Sequence, residues 1–164
     1  MIFRRPNGQE VNIKEIAKIA VDYILKEKDR AFEIVIGTDS QSYSKTKMAE
    51  VIVVRKVGSG GIFFFRTSYI QRVPNLRIKI QEETQRSLVI ADELIESIEL
   101  ELLEHNTELK NLNVHVQIHC DVGTEGSTKV LINEISGWVK SMGYECLIKP
   151  DSYAASTVAD KYSK

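Results

Sequence analysis

No stretch of about 18 apolar residues occurs in this sequence, so no segment is expected to span a membrane. The N-terminus, Met1-Ile2-Phe3-Arg4-Arg5-Pro6, has no apolar run behind its charges and does not read as a signal peptide. Cysteine is scarce: Cys120 and Cys146 are the 2 among 164 residues. Both fall in strand-like runs, and the expectation is reduced, buried thiols in a cytoplasmic protein. Excess charge is also missing. With 22 Lys and Arg against 23 Asp and Glu, the net charge is −1. No global field therefore draws the chain to nucleic acid or to an anionic membrane, and any such contact needs a local patch. Repeats, low-complexity segments and linkers are absent. The length suits one domain, residues 1–164, with residues 1–30 as a helical extension and 31–164 as the core.

Several kinds of site are excluded in the same way. His115 and His119 share a strand face but are separated by about 13 Å, too far to hold one zinc ion. The glycine-rich Gly58-Ser59-Gly60-Gly61 lacks the Lys-Ser/Thr and following helix of a phosphate loop, and reads as a hairpin turn. Ser40 and Ser127 have no base partner in view, which argues against a serine hydrolase.

What is present is a pair of acids at the ends of apolar runs. Ile34-Val35-Ile36-Gly37-Thr38 leads to Asp39, and Val114-His115-Val116-Gln117-Ile118-His119-Cys120 leads to Asp121. A carboxylate at the tip of a core strand sits close to a low-dielectric interior, where its charge is costly. Two of them on neighbouring strands repel unless a cation lies between. That is the logic of a metal site. Turn chemistry is the plainer alternative for each, since Asp-Ser-Gln-Ser and Asp-Val-Gly both favour turns.

The elements follow from periodicity. A helix is expected over residues 12–28, opened by Asn12 with Glu15 as a capping box. Strands are expected over 34–39, 49–57 and 62–69, forming an antiparallel meander. A long helix over 77–105, a strand over 114–121, a helix over 127–142, a strand over 144–148 and a terminal helix over 152–161 complete the chain. The fold class is α/β: a five-stranded mixed sheet, three strands antiparallel and two added parallel through right-handed crossovers, with helices on both faces and an extra N-terminal helix.

This order resembles the ribonuclease H-like superfamily. More narrowly, Gly37-Thr38-Asp39-Ser40-Gln41, His119-Cys120-Asp121-Val122-Gly123 and Lys149-Pro150-Asp151-Ser152-Tyr153-Ala154-Ala155-Ser156 with Val158-Ala159-Asp160 resemble the bacterial YkuK-type family within it. The superfamily resemblance implies four acids: on the first strand, on the first crossover helix, after the fourth strand and in the last helix. Asp39 and Asp121 fill two positions. On the long helix Glu83 lies at the edge of the buried stripe and Glu82 points nearly opposite, so Glu83 is the third. The resemblance favours Asp160 as the fourth, with Asp151 as its competitor.

An oxygen-only, anionic set of this kind selects Mg²⁺ or Mn²⁺ over Zn²⁺, and two ions are expected. The implied activity is metal-dependent phosphodiester hydrolysis by a nuclease. Lys149, His119, Ser40 and Asp151 are auxiliary candidates. Arg66, Arg72, Arg77 and Lys79, with no acid among them, are the candidate nucleic-acid contacts. The sequence departs from the Asp-x-Glu pattern of proofreading exonucleases, since Gln41 stands at the Glu position. Two rival readings share the fold: a non-catalytic nucleic-acid or protein binding module, and a nucleotide-binding ATPase of actin-like type, faintly suggested by Asp121-Val122-Gly123-Thr124.

Overall fold

The computed structural model describes residues 1–164. A short hairpin opens the chain, β1 (Ile2–Arg4) and β2 (Glu10–Asn12), and leads into helix α1 (Ile13–Leu25). Asn12 caps α1 by accepting a 2.9 Å hydrogen bond from the Glu15 backbone N–H. Three long strands follow as an antiparallel meander: β3 (Phe32–Ser42), β4 (Lys45–Lys56) and β5 (Gly61–Gln71). Helix α2 (Leu76–Leu103) starts where Asn75 accepts from Ile78 N–H at 3.0 Å. Strand β6 (Val114–His119), helix α3 (Ile132–Ser141) and strand β7 (Glu145–Leu147) complete the crossovers. The C-terminal segment winds with π-type spacing over Ala154–Ala159 and ends as α4 (Asp160–Ser163).

One mixed sheet runs in the order β2-β1-β5-β4-β3-β6-β7, with β6 parallel to β3 and β7 parallel to β6. The expected meander and the two parallel strands are present. The sheet has seven strands rather than five, because residues 2–12 add a hairpin to the β5 edge. Strands of three residues are too short to show an alternating pattern, so nothing in the sequence announced them.

Alternation along β3 sorts its side chains onto two faces. Ile34 and Ile36 join Ile52, Phe64 and Ile118 in the main core, covered by α1, α2 and α3 through Ile16, Leu88, Leu94 and Ile135. Val35, with Val51 and Val53, faces the other way, against Ala154 and Ala159 of the C-terminal segment. Tyr162 stacks on Phe65 at 3.9 Å between ring centroids and anchors that segment's end. Gly37 explains its close seat: a Cβ there would lie 2.7 Å from the backbone of Ala154 and Ala155. Only a residue without a side chain lets the segment lie this near the central strand.

Asp39 is not at the tip of its strand. β3 continues to Ser42, with Asp39 opposite Ala49 on β4. The polar residues after Asp39 stay in the sheet because the antiparallel ladder to β4 satisfies their backbone groups. The parallel ladder to β6, however, ends at Gly37 opposite His119. Asp39 therefore lies on a stretch of β3 that has lost one neighbour. Asp121 follows β6 by two residues beside the same opening.

Candidate active site

Parity places Thr38 and Ser40 on the α2 face of β3 and Asp39 on the C-terminal face. The hydrogen bonds agree. Thr38 Oγ1 and Ser87 Oγ are 2.8 Å apart, and Ser40 Oγ donates to Glu83 Oε1 at 2.7 Å. Asp39 Oδ2 accepts from Ser163 Oγ of α4 at 2.6 Å. Asp39 and Glu83 are thus buried carboxylates approaching from opposite faces. They meet through the gap left where β6 stops. Glu82, one residue away, turns outward to Arg86 at 2.7 Å.

A lysine spans that gap. Lys79, one helical turn before Glu83, holds its Nζ 3.4 Å from Glu83 Oε1 and 4.0 Å from Asp39 Oδ1. Each remaining acid has its own cation. Lys149 Nζ is 3.0 Å from Asp121 Oδ1, although off the line of a hydrogen bond, and Lys164 Nζ is 2.7 Å from Asp160 Oδ2. Gly123 makes the first of these pairings possible, because a Cβ there would sit 3.0 Å from the Lys149 Cβ. Asp151 is exposed in the turn after β7 and makes no ion pair.

The electrostatics are strained. Burial pushes the Glu83 carboxyl up to about 8, against the opposing pull of Lys79 and the Ser40 hydroxyl. Burial also raises Asp39, with Ser163 and Lys79 opposing and Asp121 and Asp160 adding repulsion. Glu83 likewise feels the charges of Asp39 and Asp121. On Lys79 burial acts against the ammonium, but Glu83 and Asp39 outweigh it and hold its pKa high.

The fit to a hard cation is one of chemistry. Every donor is a carboxylate oxygen, and the buried Glu83 Oε2 and Asp121 Oδ1 have no hydrogen-bond donor. Yet no three His, Cys, Asp or Glu side chains stand close enough to enclose one ion. In this arrangement the Lys79 ammonium lies between Asp39 and Glu83, and Lys149 and Lys164 each flank one acid.

The auxiliary residues divide. Ser40 orients Glu83 and Lys149 flanks Asp121. His119 is turned to structure: its Nδ1 accepts from Ala154 N–H at 3.2 Å, which places the proton on Nε2, donated to Gln117 Oε1 at 3.1 Å. Burial and the Arg55 charge push this imidazole down to about 4, so it stays neutral and ties β6 to the C-terminal segment. Ser163 was not foreseen, because a serine next to the chain's last residue carries no pattern.

Of the four basic residues proposed to meet nucleic acid, three already have carboxylate partners. Arg66 lies 3.1 Å from the fully buried Glu50, which Arg86 also contacts at 2.9 Å. Arg77 pairs with Glu134, and Lys79 is inside the acid site. Arg72 alone is exposed and without an intramolecular ion pair. Cys120 is buried as expected, whereas Cys146 is half-buried; both thiols are free, with their sulfurs 3.9 Å apart. A surface cavity of about 400 Å³ lies elsewhere, among Glu96, Leu100, Leu103 and Leu109. Its nearest residue is about 20 Å along α2 from Glu83. No helix is long and apolar enough to cross a membrane.

Comparison with known proteins agrees with this topology. The profile described as "Ribonuclease H-like" matches residues 15–164. The chain is 27% identical over 167 residues to "Uncharacterized protein YkuK" of Bacillus subtilis (strain 168), covering 99% of this chain and 97% of that protein. No solved structure matches significantly. With a mixed sheet of this order and a match across nearly its whole length, the chain belongs to the ribonuclease H-like family.

Proposed function

We propose that this protein is a metal-dependent nuclease that hydrolyses phosphodiester bonds. The observation that carries the reading is the convergence of Asp39, Glu83, Asp121 and Asp160, from four distant stretches of chain, around the opening where β6 stops, with burial raising the proton affinity of Asp39 and Glu83. Such clusters of perturbed acids belong to functional sites more often than to scaffolding. Asp39, Glu83, Asp121 and Asp160 would hold Mg²⁺ or Mn²⁺. When bound, two such ions supply an activated water and neutralise charge at the leaving oxygen.

The chain's own residues do the rest. Ser163 and Ser40 each fix one carboxylate by a hydrogen bond, so Asp39 and Glu83 keep their orientation without a ligand. The Lys149 side chain, about half exposed beside Asp121, is placed to attract a phosphate oxygen. Substrate contact otherwise falls to Arg72, which is exposed and has no intramolecular ion pair. Affinity is then weak and falls steeply with salt.

The test is a cleavage panel in Mn²⁺ with RNA, RNA–DNA hybrid, single-stranded DNA and a junction, using wild type and Asp39→Asn. Wild type should cut at least one substrate, and Asp39→Asn should lose roughly 100-fold or more of that rate. No cleavage by either protein, or equal cleavage by both, contradicts the proposal. It would favour instead a non-catalytic binding module on this fold, the reading that the lysine partner of every acid supports.

A further inference from the structure

We infer that Lys79 is the resident counter-ion of the acid site, and that a divalent cation enters by displacing its ammonium. The inference rests on the metal-site reading above and adds a gate to it. Three observations carry it. The first is position. Lys79 Nζ bridges Glu83 on one face of the sheet and Asp39 on the other, 3.4 and 4.0 Å away, in the gap where these two carboxylates meet. A cation serving both acids has to occupy the same space.

The second is charge. Asp121 and Asp160 each have a lysine of their own, Lys149 and Lys164. Asp39 and Glu83 carry two potential negative charges and share one ammonium. When both are ionised, they exceed the one ammonium they share by one charge. A divalent ion matches that pair in charge and a lysine does not. The two cations repel each other at this distance, so both cannot stay.

The third is the looseness of the contact. An ammonium offers three donors, yet Lys79 makes no short hydrogen bond to either acid, and the buried Glu83 Oε2 has no donor at all. Ser40 and Ser163 hold the carboxylates in place, so the lysine is not needed to position them. Its place in the first turns of α2, next to the exposed Leu76, Arg77 and Ile78, gives its flexible stem a route to solvent.

Mn²⁺ binding to the full chain tests this by calorimetry, with bound Mn²⁺ counted independently by electron paramagnetic resonance. Lys79→Met should bind Mn²⁺ at least tenfold more tightly than wild type. Lys79→Gln should follow it, which guards against a folding defect in one variant. Lys79→Arg, which retains the charge, should remain within about threefold of wild type. If the neutral variants bind no more tightly than wild type, or the arginine variant tightens as they do, Lys79 is not a competitor for the site and the inference falls. If wild type and both neutral variants all fail to bind Mn²⁺, the metal-site reading itself fails and takes the inference with it.

Discussion

Glu83 is the residue on which the physics presses hardest. It is buried on α2, receives one hydroxyl donor, and has one carboxylate oxygen with none. Its pKa is about 8 in the fold, against about 4.3 in an unfolded chain. Between these values the folded protein keeps a proton that the unfolded chain releases. Stability contributed by this group is therefore present at low pH and declines as pH rises toward 8. His119 acts in the opposite sense in a lower window. Its neutral folded form loses stability as pH falls from 6.5 toward about 4. From pH 6.5 to 8 the Glu83 slope is thus free of His119. Without divalent metal, chemical denaturation over that window should show wild type losing about 1–2 kcal/mol relative to Glu83→Gln. Parallel curves for the two proteins would mean that Glu83 is already ionised or solvated.

At the scale of elements, the site depends on the C-terminal segment lying close to β3. Gly37 makes that approach, Ala154 and Ala155 accept it, and Ser163 reaches Asp39 as a result. Gly37→Ala should destabilise the protein by about 1–3 kcal/mol, because backbone on both sides has to yield. That corresponds to a fall of roughly 3–10 °C in melting temperature. Gly137→Ala is the control. It meets open space within α3 and should be neutral or slightly stabilising. Equal melting temperatures for the two variants would remove Gly37 from this role.

Much of this level was legible in the sequence. The stripe that ends in Leu94, Ile98 and Leu102 fixed the face of α2 and put Glu83 rather than Glu82 toward the sheet. What was not legible depended on partners distant in sequence. The end of β3 looked like a turn at Asp39 because Ser40, Gln41 and Ser42 are polar, and only pairing with β4 keeps them extended. Arg66 looked free for a phosphate backbone because Glu50, its partner across the sheet, reads in sequence as one more charged residue in a strand. The β1–β2 hairpin is too short to carry a period at all.

For the whole molecule, the net charge of −1 conceals a local arrangement. Four acids meet at one corner of the sheet, and Lys79, Lys149 and Lys164 balance them incompletely. The ribonuclease H-like topology explains why they meet there: the parallel ladder stops short, the central strand runs on, and a helix approaches from each face. The proposed function makes this corner a divalent-cation site. The measurement that addresses it most directly is an anomalous difference map from crystals grown with Mn²⁺. A peak contacting Asp39 and Asp121, with Lys79 turned out of the gap and the peak missing in Asp39→Asn, is the predicted result. A map without a peak at that corner, with Lys79 still between Asp39 and Glu83 at saturating Mn²⁺, would contradict it.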